Sequence, residues 1–180
     1  MALKKVVIIG PESTGKSTLT QQLAEHFNTA WLPEYAREYL ETNGKDYAQA
    51  DLLIIAKHQI AVEDQMIQQL EERNEEWLFI DTDLVVIKVW SEFVFGNCDT
   101  WILCQIAERK YDGYLLCDVD LPWVKDNLRE YPDVETRQTL LEYYKENMVN
   151  QQAPWTFISG DYEQRILSAI NFTQSLKDIS

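Results

Sequence analysis

Apolar and polar positions alternate along the chain in two recurring registers, one short and continuous, the other spaced at three and four. Val6-Val7-Ile8-Ile9 is a continuous run that reads as a strand over 4–9. Leu19, Leu23 and Phe27 then fall at i, i+4 and i+8, one face of a helix. The same alternation continues. A short strand over 29–33 runs into EYAREYL, and residues 51–72 form a long helix whose stripe includes Leu53, Ala56, Ile60, Ile67 and Leu70. A strand over 77–80 ends in Asp81-Thr82-Asp83, with helices to about 95 and over 100–110. A fourth strand spans 114–117. Pro132 opens a helix to about 148, a fifth strand spans 155–159, and a last helix runs to about 176. Strands alternating with helices predict an α/β fold of three layers, α/β/α, around a five-stranded parallel sheet covered on both faces. No repeat or linker interrupts the pattern, so residues 1–180 are expected to form one domain.

Composition narrows the classes. Hydrophobic residues make up 46% of 180, enough for a core without staples, which removes disorder from consideration. No apolar run approaches the ~20 residues of a membrane span, and MALKK leads into a run too short for a signal peptide. Cys98, Cys104 and Cys117 include no C-x-x-C pair and read as free thiols of a reduced, cytoplasmic protein. The net charge of −14 disfavours a nucleic-acid partner, because an acidic surface repels a phosphodiester backbone. His26 and His58 stand apart and make no zinc motif.

The chemistry gathers where the strands end. In a parallel sheet, ligands bind outside the carboxyl ends of the strands. After the first strand comes GPESTGKST, a G-x-x-x-x-G-K-S phosphate loop between strand and helix. Gly10, Glu12, Ser13, Thr14, Gly15, Lys16, Ser17 and Thr18 are therefore expected to hold the phosphates of ATP. Lys16 would reach the β/γ-phosphates and the Ser17 hydroxyl would bind Mg²⁺. Asp81, at the end of WLFID, is expected to hold the same ion, directly or through water, or else to cap the next helix. Glu34 leaves the second strand as a carboxylate able to accept a proton or hold a sugar hydroxyl, and Arg37 lies three residues on, within salt-bridge spacing.

A segment over about 122–140 is expected to fold over the triphosphate as a helical lid. There Arg129 or Arg137 would neutralise charge on a transferred phosphoryl group, the alternative being two solvated arginines. Trp123 is placed to stack on a flat ring, and Gly160-Asp161, with Arg165 one turn beyond, to pass the adenine. No N-K-x-D motif for guanine is present.

GPESTGKSTL, PEYARE, FIDTD and WVKDNLR together resemble the NadR-type ribosylnicotinamide kinase domains, in the family's order and over nearly the whole chain. The resemblance implies a P-loop kinase that moves the γ-phosphate of ATP to the 5′-hydroxyl of nicotinamide riboside, giving nicotinamide mononucleotide. It implies that Glu34 or Asp83 holds or activates the ribose hydroxyl, with Tyr35, Arg37, Trp123 and Asp126 on the substrate side. Two places depart from the family pattern. Lys125 and Asn127 replace an acid and a glycine of W-V-D-D-G-L-R, and Val86-Ile87 replace a threonine pair after DTD. The adenylyltransferase H-x-G-H motif of the full-length relatives is missing, so neither NAD synthesis from the mononucleotide nor operator binding is expected. Two other readings remain open: a P-loop kinase for another nucleoside or small hydroxyl acceptor, and a nucleotide-binding regulatory module.

Overall fold

The strand order is β2-β3-β1-β4-β5, every neighbouring pair parallel, in a computed structural model that describes residues 2–178. Met1 and residues 179–180, the ends of the expected domain, lie outside the described residues. The strands are β1 (Lys4–Ile9), β2 (Trp31–Leu32), β3 (Trp77–Asp81), β4 (Gly113–Cys117) and β5 (Trp155–Ile158). The helices are α1 (Lys16–Phe27), α2 (Tyr35–Asn43), α3 (Gln49–Glu72), α4 (Leu84–Phe95), α5 (Thr100–Glu108), α6 (Val134–Val149) and α7 (Tyr162–Ser175). Helical crossovers between parallel strands put cover on both faces of the sheet.

The central strands are apolar on both sides, which is why they read as continuous runs. Val7, Ile9, Leu78, Ile80 and Leu116 face a core closed by Val85 and Val89 of α4 and by Leu140, Leu141, Tyr144 and Met148 of α6. Val6, Ile8, Phe79, Leu115 and Cys117 face Leu19 and Leu23 of α1 and Ala169 of α7. Each fully buried aliphatic side chain contributes roughly 1.5–3 kcal/mol of transfer free energy. A third cluster joins α2, α3, α4 and α5 through Ala36, Leu52, Ile55, Ala56, Ile87 and Ile102. This is the three-layer α/β/α arrangement that the alternating pattern predicts.

Two boundaries and one buried face differ from expectation. β2 is only two residues long, because Pro33 has no N–H with which to extend the ladder. The buried face of α3 runs through Leu52, Ile55, Ala56, Gln59, Ile60, Glu63 and Leu70 rather than through Leu53, so two polar side chains sit inside an apolar stripe. α6 starts after Pro132: Asp133 is its N-cap, accepting the Thr136 N–H at 2.7 Å. Residues 122–133 consequently form a loop, and the expected lid is helical only from Val134 onward. Among the described residues no helix is long and apolar enough to cross a membrane.

Candidate active site

The phosphate loop turns at Gly10 and Gly15, and both positions need glycine. Gly10 has φ +141°, and a Cβ there would lie 2.7 Å from the Cys117 carbonyl oxygen; Gly15 has φ +77° and ends the loop as the N-cap of α1. The loop is closed on itself by the Thr14 hydroxyl and the Lys16 ammonium, each donating to the Pro11 carbonyl at 2.8 Å. The N-terminal end of α1 points its unpaired N–H groups and positive dipole into this turn, an arrangement that attracts phosphate.

A cleft of about 210 Å³, open to solvent, joins this loop to a second, apolar chamber. Its floor is residues Gly10 to Thr18, with Glu34 and Arg37 beside them. Its far wall is built from α2 (Ala36, Leu40), α4 (Val86, Val89, Trp90, Phe93) and α6 (Leu140, Tyr144). Its roof is Leu128 to Tyr131 of the 122–133 loop.

That loop is fastened to the phosphate loop by backbone groups. The Glu12 carboxylate accepts the N–H of Glu130 at 3.0 Å and of Tyr131 at 3.2 Å. Ser13 Oγ accepts the Val124 N–H at 3.0 Å and Arg129 Nη1 at 3.3 Å. Arg37 of α2 adds an ion pair to Asp126 at 2.9 Å. Burial pushes the Glu12 carboxyl up, against the pull of those two N–H bonds and of Lys16.

Glu12, Glu34 and Asp81 feel the charge of Lys16, and the acids at these strand exits are not equivalent. Asp81 is 1% exposed, its Oδ1 has no hydrogen-bond partner, and a hydrogen bond from Ser17 reaches its carboxylate. Burial raises its carboxyl, while Lys16, Ser17 and Arg37 act in the opposite direction. Glu34 lines the cleft and is pushed up to about 7, first by desolvation and then by the charge of Asp81, with Lys16 and Arg37 opposing. Asp83 is committed elsewhere: its Oδ1 caps α4 through the Val85 N–H at 2.9 Å and its Oδ2 accepts the Tyr114 hydroxyl at 3.0 Å. Asp83 is therefore a buried structural acid and not a wall of the cleft, contrary to the expectation that it meets the acceptor.

Other expected residues are redistributed in the same way. Trp123 does not line the cleft; its ring carries the guanidinium groups of Arg129 at 5.8 Å and Arg137 at 5.4 Å. Tyr35 stacks on His58, with ring centroids 3.6 Å apart, and faces α3. Asp126 accepts Arg37 and the Leu128 N–H, so both its oxygens hold the loop in shape. Asp161 caps α7, and the Gly160 N–H bonds Asp120 at 2.6 Å. Arg165, 2% exposed, donates to the carbonyls of Thr14, Asp118 and Gly160 and pairs with Asp120, which clamps the phosphate loop to the β4 exit. The expected adenine contacts are in this way internal ties.

Arg137 is the opposite case. It is 3% exposed, and its Nε and Nη1 are buried with no hydrogen-bond partner. A buried guanidinium without an acceptor is costly and calls for an anion.

Apart from Val86, which stands out as a departure from the resembled family's pattern, the apolar wall went unread in the sequence. Val86, Val89, Trp90 and Phe93 fall at i, i+3, i+4 and i+7 of α4, a pattern that reads as core. Only the packing of α2 and α6 beside them leaves a chamber there instead. Tyr144 of α6, whose hydroxyl feels the charge of Glu34, Asp83 and Glu12, gave no local signal either.

A family model described as an AAA domain matches residues 5–165. The trifunctional NAD biosynthesis/regulator protein NadR of Salmonella typhimurium is 28% identical over 187 residues, taking in 97% of this chain and 43% of that protein. A crystal structure of NadR in complex with NR superposes with a TM-score of 0.77 at 23% identity, over 99% of this chain and 51% of that one. Thymidylate kinase from Ehrlichia chaffeensis superposes at 0.66 and 13%, over 96% and 100%. At these identities the superpositions speak for the fold alone. The chain spans less than half the length of the curated relatives it matches.

Proposed function

The chain belongs to the AAA-domain family, and on that premise we propose that it is an ATP-dependent kinase that phosphorylates the 5′-hydroxyl of nicotinamide riboside. The observation that carries this reading is one continuous cleft, with a phosphate loop at one end, an aromatic chamber at the other, and the Glu34 carboxylate between them. A hydrolase needs no second chamber; a transferase to a flat-ringed acceptor does. The similarity to NadR over 97% of the chain supports the same class.

In this reading the α1 N-terminus and Lys16 hold the triphosphate. Mg²⁺ would be held by Ser17 and Asp81, and the buried, unpartnered Asp81 Oδ1 is the observation that fits it. When bound, the ion supplies charge neutralisation on the β- and γ-phosphate oxygens. Trp90, Phe93 and Tyr131 flank the acceptor ring, and their aromatic faces suit a cationic pyridinium. Glu34 accepts the proton of the acceptor hydroxyl as its oxygen bonds the γ-phosphorus and the bond to the β-phosphate oxygen breaks, releasing ADP. A carboxyl raised to about 7 is matched to that proton transfer near neutral pH. Arg137 stands on the Trp123 ring outside the cleft lining, and its unpartnered N–H groups would swing inward to receive the charge of the transferred phosphoryl group; Arg129 is tied to Ser13 and the Val124 carbonyl and holds the lid loop.

Val86 supports a second reading, a kinase for a different nucleoside. It lines the chamber where the resembled family carries threonine, so a polar ring edge loses a hydroxyl partner there. The test is ADP release from Mg·ATP with nicotinamide riboside and a panel of other nucleosides. Selective stimulation by nicotinamide riboside, with mononucleotide formed one for one with ADP, is the expected result. Stimulation by a different nucleoside keeps the kinase and replaces its acceptor. No stimulation by any acceptor overturns both readings and favours a nucleotide-binding regulatory module.

A further inference from the structure

Glu34 is the N-cap residue of α2, yet its side chain makes no cap hydrogen bond. At four other helix starts an aspartate does make one: Asp83, Asp99, Asp133 and Asp161 each accept an N–H of the first turn. A carboxylate so occupied is a poor base, since its lone pairs and its direction are fixed by the backbone. At α2 the duty falls to another residue. Gln59, on α3, accepts the Tyr35 N–H through Oε1 at 3.0 Å. Its Nε2 faces the Thr82 carbonyl at 3.5 Å, in the turn directly after Asp81.

Gln59 is 4% exposed and interrupts the apolar stripe of α3 between Ala56 and Ile60. A buried amide costs a few kcal/mol unless it is hydrogen-bonded, so its place needs a reason beyond packing. The turn it touches is strained. Thr82 is a β-branched residue at φ +68°, and it is pinned on one side by its N–H to the Ile8 carbonyl at 3.0 Å. One amide therefore spans the exits of β2 and β3, the two strands that deliver Glu34 and Asp81.

We infer that Gln59 is a positioning residue: by capping α2 in place of Glu34 and bracing the Thr82 turn, it frees the Glu34 carboxylate for the cleft and sets its spacing from Asp81. The catalytic part rests on the kinase reading; the bracing part does not. Glu34 follows β2 and Asp81 ends β3, so no local sequence rule sets their separation, and a strut between the exits does.

The experiment compares Gln59→Met, which keeps volume and removes both hydrogen bonds, with Gln59→Glu, which keeps the acceptor for Tyr35. In the full chain, amide exchange at Tyr35 and at Thr82, whose N–H is held by the Ile8 carbonyl, is followed by NMR, and kcat and KM for Mg·ATP are measured with the best acceptor. Faster exchange at both amides in Gln59→Met, with kcat about 10- to 100-fold lower, KM for Mg·ATP unchanged and partial recovery in Gln59→Glu, is the expected result. Unchanged exchange at Tyr35 overturns the inference, as does a kcat loss that tracks a rise in KM or an equal loss in both variants. Should the wild-type protein phosphorylate no acceptor, the kinase reading falls, and the exchange measurement still decides whether Gln59 braces the two exits.

Discussion

Arg137 and Asp83 show how one buried charged side chain differs from another. Arg137 has a guanidinium inside the protein with Nε and Nη1 unpaired, a cost that the face of Trp123 offsets only in part. Arg137→Met is expected to leave Tm unchanged or raise it while lowering kcat about 100-fold, with little change in KM for Mg·ATP. Steady-state kinetics beside thermal melts check this, and an unchanged kcat would remove Arg137 from the chemistry. Asp83 has its hydrogen bonds satisfied, yet burial pushes its carboxyl up to about 7, against hydrogen bonds from Tyr114 and Val85. Unfolded, it titrates near ~3.9, so between about pH 4 and 7 the native state holds the extra proton. Its contribution to stability is full below that range and is lost as pH rises through 7, at up to about 1.4 kcal/mol per pH unit. Asp83→Asn keeps the cap and is expected to flatten this slope in urea unfolding measured across pH 4–7.

At the scale of elements, the lid loop is held by the phosphate loop itself. Glu12 and Ser13, expected from the sequence to hold phosphate, carry the hydrogen bonds that dock 124–131. Hydrogen bonds to a charged group contribute roughly 1.5–3 kcal/mol, so Glu12→Ala is expected to release the loop. ADP release without acceptor then rises relative to acceptor-dependent turnover, and proteolysis within 122–133 quickens; an intact loop in that variant would assign Glu12 to the nucleotide alone. The helix α4 teaches a related lesson. Its Val86, Val89, Trp90 and Phe93 stripe was legible as an apolar face, but whether such a face meets a neighbour or lines a chamber depends on α2 and α6.

For the whole molecule, the cleft predicts that ligand binding and folding are linked. Mg·ATP at a hundred times its Kd is expected to stabilise the protein by about 2.7 kcal/mol, read as a rise in Tm. Lys16→Ala is expected to abolish turnover and most of that rise, since the Lys16 ammonium stands at the loop, held there by the Pro11 carbonyl. A full shift in the variant would place the nucleotide elsewhere on the molecule.

Much of this protein was decided by local sequence. Short apolar runs and helical stripes determine which segments become strand and helix, because side-chain period follows backbone geometry. The alternation then leaves few topologies besides a parallel sheet, and the phosphate loop is legible because its glycines and lysine act through the backbone close by. Tertiary structure alone decided the uses of the other polar groups. Asp81 and Asp83 lie two residues apart on the chain, yet one keeps an Oδ1 without a hydrogen-bond partner while the other is consumed by Tyr114 and a helix cap. Arg165 and Arg137 are both buried arginines, yet one is saturated with carbonyls and the other has buried N–H groups left unpaired. A side chain's partners are set by residues far away in sequence, and a carboxylate is free for chemistry only where the packing leaves nothing else to bond it.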